Sequence, residues 1–170
     1  MKKYFLETTR LGFSHWENND IDLAISLWGE PEVTRFISSN GLYSNEQIKS
    51  RLNTEIQTNE LFLVQYWPIF ELKTNDFIGC CGLHPYEIEK KIYEIGFHLK
   101  SNYWGSGYAS EAANAVIQFA FETLDANNLF AGHNPLNRAS KNLLIKLGFN
   151  YSHDEFYEPT GLNHPSYFYK

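Results

Sequence analysis

Tyr103-Trp104-Gly105-Ser106-Gly107-Tyr108-Ala109-Ser110-Glu111 carries most of the information in this chain. Gly105 and Gly107 lack a β-carbon, so the backbone can tighten there and present consecutive N–H groups. A helix starting at Tyr108 adds its unpaired first-turn donors and the positive end of its dipole. Such a turn holds an anionic cofactor without a lysine, although the same residues also read as an ordinary turn before a helix. Ser106 is not a nucleophile elbow, which needs Gly-x-Ser-x-Gly, and the turn lacks the Gly-Lys-Ser/Thr of a P-loop.

Downstream of the turn, Ala109, Ala112, Ala113, Val116, Ala120 and Leu124 recur at helical spacing, with alanines small enough to bring the helix close to a sheet. Leu129–His133 reads as a short strand. Asn137 can cap a helix whose apolar positions Ala139, Leu143, Leu144 and Leu147 stop at Gly148. Strands over Phe149–Tyr157 and Tyr167–Tyr169 finish the chain.

Upstream, Leu61–Leu72, Phe77–Leu83 and Ile92–Leu99 are rich in aromatic and β-branched residues and are separated by turn-like sequences, as in an antiparallel meander. Before them, Ser44-Asn45-Glu46-Gln47 has capping-box spacing and predicts a helix to about Gln57. Asn19 or Asp20 caps an earlier helix over Ile21–Gly29, ended by the Glu30-Pro31 step, and Leu6–Phe13 reads as the first strand. The pattern predicts one α+β domain over residues 1–170, with helices on a largely antiparallel sheet.

With 170 residues, 43% of them hydrophobic, the chain can bury a core. A net charge of -6 argues against a non-specific nucleic-acid footprint, which rests on clustered Lys and Arg. No apolar run approaches the roughly 18 residues of a membrane span, and the start loses its apolar character too soon for a signal peptide, so a cytoplasmic protein is expected. Cys80 and Cys81 are adjacent and on a strand point to opposite faces, which precludes a bridge between them. Neither they nor the six histidines show a metal-ligand spacing, and no metal is expected.

Several words occur in an order that resembles the GNAT acetyltransferases, in the branch that includes the ribosomal-protein N-acetyltransferases RimJ and RimL. They are Leu6-Glu7-Thr8-Thr9-Arg10-Leu11, Pro31-Glu32-Val33, Phe77-Ile78-Gly79-Cys80-Cys81-Gly82-Leu83-His84-Pro85 and Tyr93-Glu94-Ile95-Gly96-Phe97. They continue with Tyr103 to Ala112, Asn137-Arg138-Ala139-Ser140 and Lys146-Leu147-Gly148-Phe149. The resemblance implies a mixed α/β acyl-CoA N-acyltransferase fold, with a twisted sheet of about seven strands flanked by four helices and splayed between the fourth and fifth strands. It implies acetyl-CoA as cosubstrate, its pyrophosphate on Trp104, Gly105, Ser106, Gly107, Tyr108 and Ala109. Pantetheine is expected on the backbone of Phe97, His98 and Leu99, with the Asn137 and Ser140 side chains against the cofactor. Asn102 stands where the superfamily often has Gln or Arg, so the phosphate contact falls to backbone donors. Homodimers are common in the family.

Acetyl transfer to an amine needs a neutral amine, a stabilised oxyanion and a protonated leaving thiolate. Backbone N–H groups near Phe97 and His98 are candidates for the oxyanion, each such donor contributing about 3 kcal/mol. Ser140 is the candidate for the thiolate, or else a capping residue of its helix, and Asn137 is equally an N-cap. Arg138 and Lys141 either meet the adenosine end or are simply solvated. Glu94 and His98 share a strand face with Gly96 between them, which predicts open space above the glycine. Glu94 is the candidate base if desolvation raises its pKa, or else an ordinary strand glutamate, with His84 and His98 as alternatives. Aromatic residues Tyr66, Trp67, Phe156, Tyr157 and Tyr167 are candidates for an acceptor pocket. The expected activity is direct transfer from acetyl-CoA to a protein N-terminus or a small amine. The alternative from another class is a non-catalytic acyl-CoA-binding or sensing module.

Overall fold

The computed structural model describes residues 2–170. Eight strands form one sheet in the order β1-β2-β3-β4-β5-β6-β8-β7. They are β1 (Leu6–Glu7), β2 (Leu11–Phe13), β3 (Tyr66–Glu71), β4 (Phe77–Glu87), β5 (Ile92–Leu99), β6 (Asn128–Gly132), β7 (Asn150–Tyr157) and β8 (Leu162–Tyr169). Five α-helices flank it: α1 (Ile21–Trp28), α2 (Pro31–Thr34), α3 (Asn45–Phe62), α4 (Tyr108–Glu122) and α5 (Arg138–Leu147). None of them is long and apolar enough to cross a membrane.

The expected strand over Leu6–Phe13 is a hairpin, β1 and β2, because Thr8 folds its hydroxyl onto the Leu11 N–H at 3.0 Å and turns the chain. The fifth helix, α2, begins at Pro31, which is read as a stop in sequence but also fits the first helical position, where a missing N–H costs nothing. Helix α3 keeps its capping box at Ser44 and Gln47 but runs on to Phe62. Leu61 to Leu63 therefore belong to a helix end, and Leu63 closes it in the left-handed region at φ 59° without the glycine that would mark the stop. Strand β4 continues through Pro85, which lies beyond the last β3 pairing at Gly82, so no bond to β3 is lost there.

The sheet divides two cores. Leu83, Ile95, Ala112, Ala113, Val116, Leu129 and Leu144 pack on the α4–α5 side, and Trp16, Leu27, Trp28, Ile48, Leu52 and Tyr66 on the α1–α3 side. Cys81 enters the first and Cys80 the second, as strand alternation requires. Strands β5 and β6 are the parallel pair, and they pair only from Ile92↔Asn128 to Glu94↔Phe130. Beyond Glu94 they part, and Gly96, Phe97 and His98 stay half-buried although β5 is interior to the sheet.

Candidate active site

The splay has a polarity that the ladder fixes. Leu83 N–H donates to Gln65 on the β3 side and Lys100 N–H donates to Ile78 of β4, so even-numbered residues of β5 turn their backbone to β4. Ile95, Phe97 and Leu99 consequently turn theirs into the gap. His98, expected among the backbone donors to the cofactor, spends its N–H in the β4 ladder, and the Ile95 N–H is taken by the last β5–β6 pairing at Glu94↔Phe130, so Phe97 and Leu99 carry the N–H groups that face the slot. The Leu99 carbonyl accepts from Trp104 Nε1 at 2.9 Å, which ties the end of β5 to the glycine turn.

In that turn Gly105 and Gly107 have φ of 77° and 80°, and Gly107 is the N-cap of α4. Side chains other than glycine are strained in this region. Gly105, Ser106, Gly107, Tyr108, Ala109 and Ser110 donate their backbone N–H to no protein acceptor among the described residues, so a row of donors stands at the positive end of α4. The turn is bolted to the β1–β2 hairpin through Glu111. Its carboxylate accepts from Thr8 Oγ1 at 2.6 Å, Arg10 N at 2.9 Å and Arg10 Nε at 2.7 Å, while Arg10 Nη1 donates to the Ser106 carbonyl at 3.0 Å. Burial alone would raise the Glu111 carboxyl, but the hydrogen bonds from Thr8 and Arg10 outweigh it and hold it below its usual value. Arg10 also lies over the Tyr108 ring, whose hydroxyl donates to Glu71 at 2.6 Å.

On the opposite face of β5 sit Glu94, Gly96 and His98. The space above Gly96 is not open: a β-carbon there would overlap the Tyr66 ring, and only glycine admits it. Tyr66 donates its hydroxyl to Glu94 Oε1 at 3.2 Å and stacks on His84 with ring centroids 3.7 Å apart. His84 stands opposite Glu94 across the β4–β5 ladder and meets the fully buried Glu55 carboxylate through Nε2 at 2.9–3.0 Å. Glu55 also accepts from Tyr66 N–H at 2.8 Å and is approached by Arg51 Nε at 3.3 Å. Burial raises the Glu94 carboxyl above its usual value, and His84, the Tyr66 hydroxyl and Arg51 offset only part of that. His98 is pushed down to about 3, by burial first and then by the nearby Arg51 and His84. Its Nδ1 accepts from Trp28 Nε1 at 3.2 Å, which keeps the ring neutral with its proton on Nε2 and removes it as a base near neutral pH.

At the start of α5 the Asn137 side chain accepts from Ser140 N–H at 3.1 Å, an N-cap. That bond uses the backbone of Ser140, and the half-buried hydroxyl has no protein partner among the described residues. Both cysteines are buried and free, and burial raises both thiols, so neither is an activated nucleophile.

A splayed parallel pair, a glycine turn of free N–H groups and a polar cluster on the far face of β5 are now in place, and the acetyltransferase (GNAT) domain pattern matches residues 10–150. The chain belongs to the GNAT acetyltransferases. It is therefore an enzyme of the acyltransferase class. An uncharacterized N-acetyltransferase, p20, of Bacillus licheniformis is 32% identical over 147 residues, covering 85% of this chain and 81% of that one. Among solved structures, a GNAT-family acetyltransferase from Bacillus anthracis aligns with a TM-score of 0.81 at 21% identity, over 96% of each chain. RimL, a ribosomal L7/L12 alpha-N-protein acetyltransferase in complex with coenzyme A, aligns with a TM-score of 0.82 at 15% identity, over 98% of this chain and 97% of that one. These two likenesses concern the fold alone.

Within this GNAT fold, the predicted residues fall into two groups. Trp104 to Ala109 and the backbone of Phe97 and Leu99 line the α4 side, whereas Glu94 and the His98 side chain lie on the α1–α3 side. Tyr66 is at the second group, but Trp67 points to the opposite core against Phe5 and Phe119 and lines no acceptor pocket. Tyr167 is buried beside His133, and Phe156 is exposed on β7. The residues without a sequence-level role were Thr8, Arg10, Glu111, Arg51 and Glu55. Glu55 had a signal: Ile48, Leu52 and Glu55 are the buried residues of α3, so a carboxylate interrupts an apolar stripe.

Proposed function

We propose that one acetyltransferase domain spanning the chain transfers the acetyl group of acetyl-CoA to a primary amine by direct attack in a ternary complex. The observation that carries this reading is Glu94, held at the last paired position of β5 before the splay, with a raised pKa and a Tyr66 hydrogen bond. When bound, acetyl-CoA supplies the thioester carbonyl. The free N–H groups of Gly105 to Ser110 fit its pyrophosphate, and the slot-facing backbone of Phe97 and Leu99 fits its pantetheine. Asn137 caps α5, and its side chain is assigned a contact with the cofactor as well.

Glu94 takes the ammonium proton, and its elevated pKa brings it closer to the working pH than an exposed glutamate would be. The slot-facing N–H group of Phe97 stabilises negative charge on the carbonyl oxygen. The unpartnered Ser140 hydroxyl donates to the departing sulfur. Buried, raised cysteines disfavour a covalent acyl-enzyme route. The exposed edge strand β7, with Tyr151, Phe156 and Tyr157 outward, supports association of two copies.

The test is calorimetric binding of acetyl-CoA together with chromatographic quantitation of CoA released in the presence of N-terminal peptides and small amines. Amine-dependent release is expected. Binding without release on any amine would replace this reading by that of an acyl-CoA-binding module.

A further inference from the structure

Arg51, beside the polar cluster on the far face of β5, keeps donors that no protein acceptor takes up among the described residues. Its guanidinium lies 5.3 Å from the Trp28 ring centroid and 5.6 Å from that of Tyr66, an arrangement in which two aromatic rings hold a flat cation in place. Its Nε is buried and hydrogen-bonded to nothing, approaching Glu55 at ion-pair range only. Glu55 is already engaged by His84 and the Tyr66 N–H, and Nη1 and Nη2 of Arg51 have no protein acceptor among the described residues. The side chain is 23% exposed and only Nε is both buried and unpaired, so the fork reaches solvent on the α1–α3 side of the sheet. Its charge is felt by Glu94, His98 and Tyr157, which places it among the groups around the end of the splay.

Neutralising Glu55 does not explain this residue. The contact with Glu55 engages the guanidinium at its Nε edge alone and leaves Nη1 and Nη2 without a protein acceptor. A fork held flat by aromatic rings matches an incoming carboxylate through two parallel N–H···O bonds. Tyr66 links the two ends of the site: its ring faces Arg51 and its hydroxyl bonds Glu94.

We infer that the acceptor is a small primary amine bearing a carboxylate close to the amine, with α-amino acids the simplest case, and that Arg51 binds the carboxylate while the amine meets Glu94. This rests on the acetyl-transfer reading above and narrows its acceptor away from protein N-termini and polyamines, which offer no carboxylate beside the amine.

The experiment compares L-amino acids with their own α-amides and with short N-terminal peptides, measuring CoA release by chromatography with the full chain and acetyl-CoA. The amide is the less basic amine and is more often neutral, so a preference for the acid runs against intrinsic reactivity. We expect kcat/KM for the acid to exceed that for its amide by at least about tenfold. Arg51→Lys keeps the charge and loses the fork, and should shrink that ratio mainly through the KM of the acid. The comparison within the native protein stands even if the variant is unstable. Equal or better turnover of amides and peptides than of acids would overturn the carboxylate inference alone. An unchanged acid-to-amide ratio in Arg51→Lys would overturn the role of Arg51. No CoA release with any amine would bring down acetyl transfer itself and this inference with it.

Discussion

His98 titrates at about 3 in the folded protein against 6.5 for an unperturbed histidine, and this gap predicts a specific acid sensitivity. Between those values the unfolded chain binds a proton that the folded chain refuses. Stability from this group is therefore complete above pH 6.5 and is lost as pH falls toward 3. Integrated from pH 7 to pH 5, one histidine with this gap removes about 2 kcal/mol, and over the whole window about 5 kcal/mol. The cause is local: burial, the adjacent Arg51 charge, and an Nδ1 committed to Trp28.

His98→Gln keeps an oxygen that can accept from Trp28 Nε1 and has nothing to titrate. Urea unfolding of the native chain and the variant, followed by tryptophan fluorescence at pH 7 and pH 5, isolates the term because every other group cancels. On acidification the variant should lose about 2 kcal/mol less stability than the native chain. Parallel losses would refute the argument and return His98 to the list of candidate bases. The pH–rate profile makes a second demand on the same variant, which must retain the acidic limb of kcat/KM.

Glu94→Gln should abolish that limb, which in the native enzyme lies above 4.5 because the Glu94 pKa is raised and only the ionised form accepts a proton; a surviving limb would exclude Glu94. Gly107→Val puts a β-branched residue at φ 80° and its side chain toward Arg10, so calorimetry should find acetyl-CoA binding lost, whereas unchanged affinity would dismiss the anion-binding turn. Glu111→Gln removes the charge that Thr8 and Arg10 engage, and chemical denaturation should register a loss of about 1–3 kcal/mol alongside weaker acetyl-CoA binding. Ser140→Ala should lower kcat more than it weakens acetyl-CoA binding, since its backbone N–H keeps the cap on Asn137; equal kinetics would leave Ser140 with no part in thiolate departure.

Local chemistry made much of this legible. The glycine turn, the capping box at Ser44, the Asn137 cap and the alternation of Cys80 and Cys81 each depend on near neighbours in the chain, and each is found in the fold. The α3 boundary was hidden because Leu63 ends the helix in a left-handed conformation that a leucine does not advertise. The occupant of the space above Gly96 was hidden for a different reason: Tyr66 arrives from β3, 30 positions earlier, and only the β3–β4–β5 register brings it there.

That register also explains why the acceptor half of the site is harder to read than the cofactor half. The proposed cofactor contacts are mostly backbone groups on one continuous segment from β5 to α4, where glycine content and helix start are visible together. The proposed acceptor half is assembled from α3, β3, β4 and β5, with Glu55, Tyr66, His84 and Glu94 contributing one side chain each. A buried carboxylate at the third position of the α3 stripe is expensive unless paired, and pairing it with His84 and the Tyr66 backbone fixes where both rings stand. Glu55 acts through them, orienting Tyr66 toward Glu94. The polar interruption that looks like a defect in an amphipathic helix is thus what aligns the proposed acceptor face with the point where β5 and β6 separate.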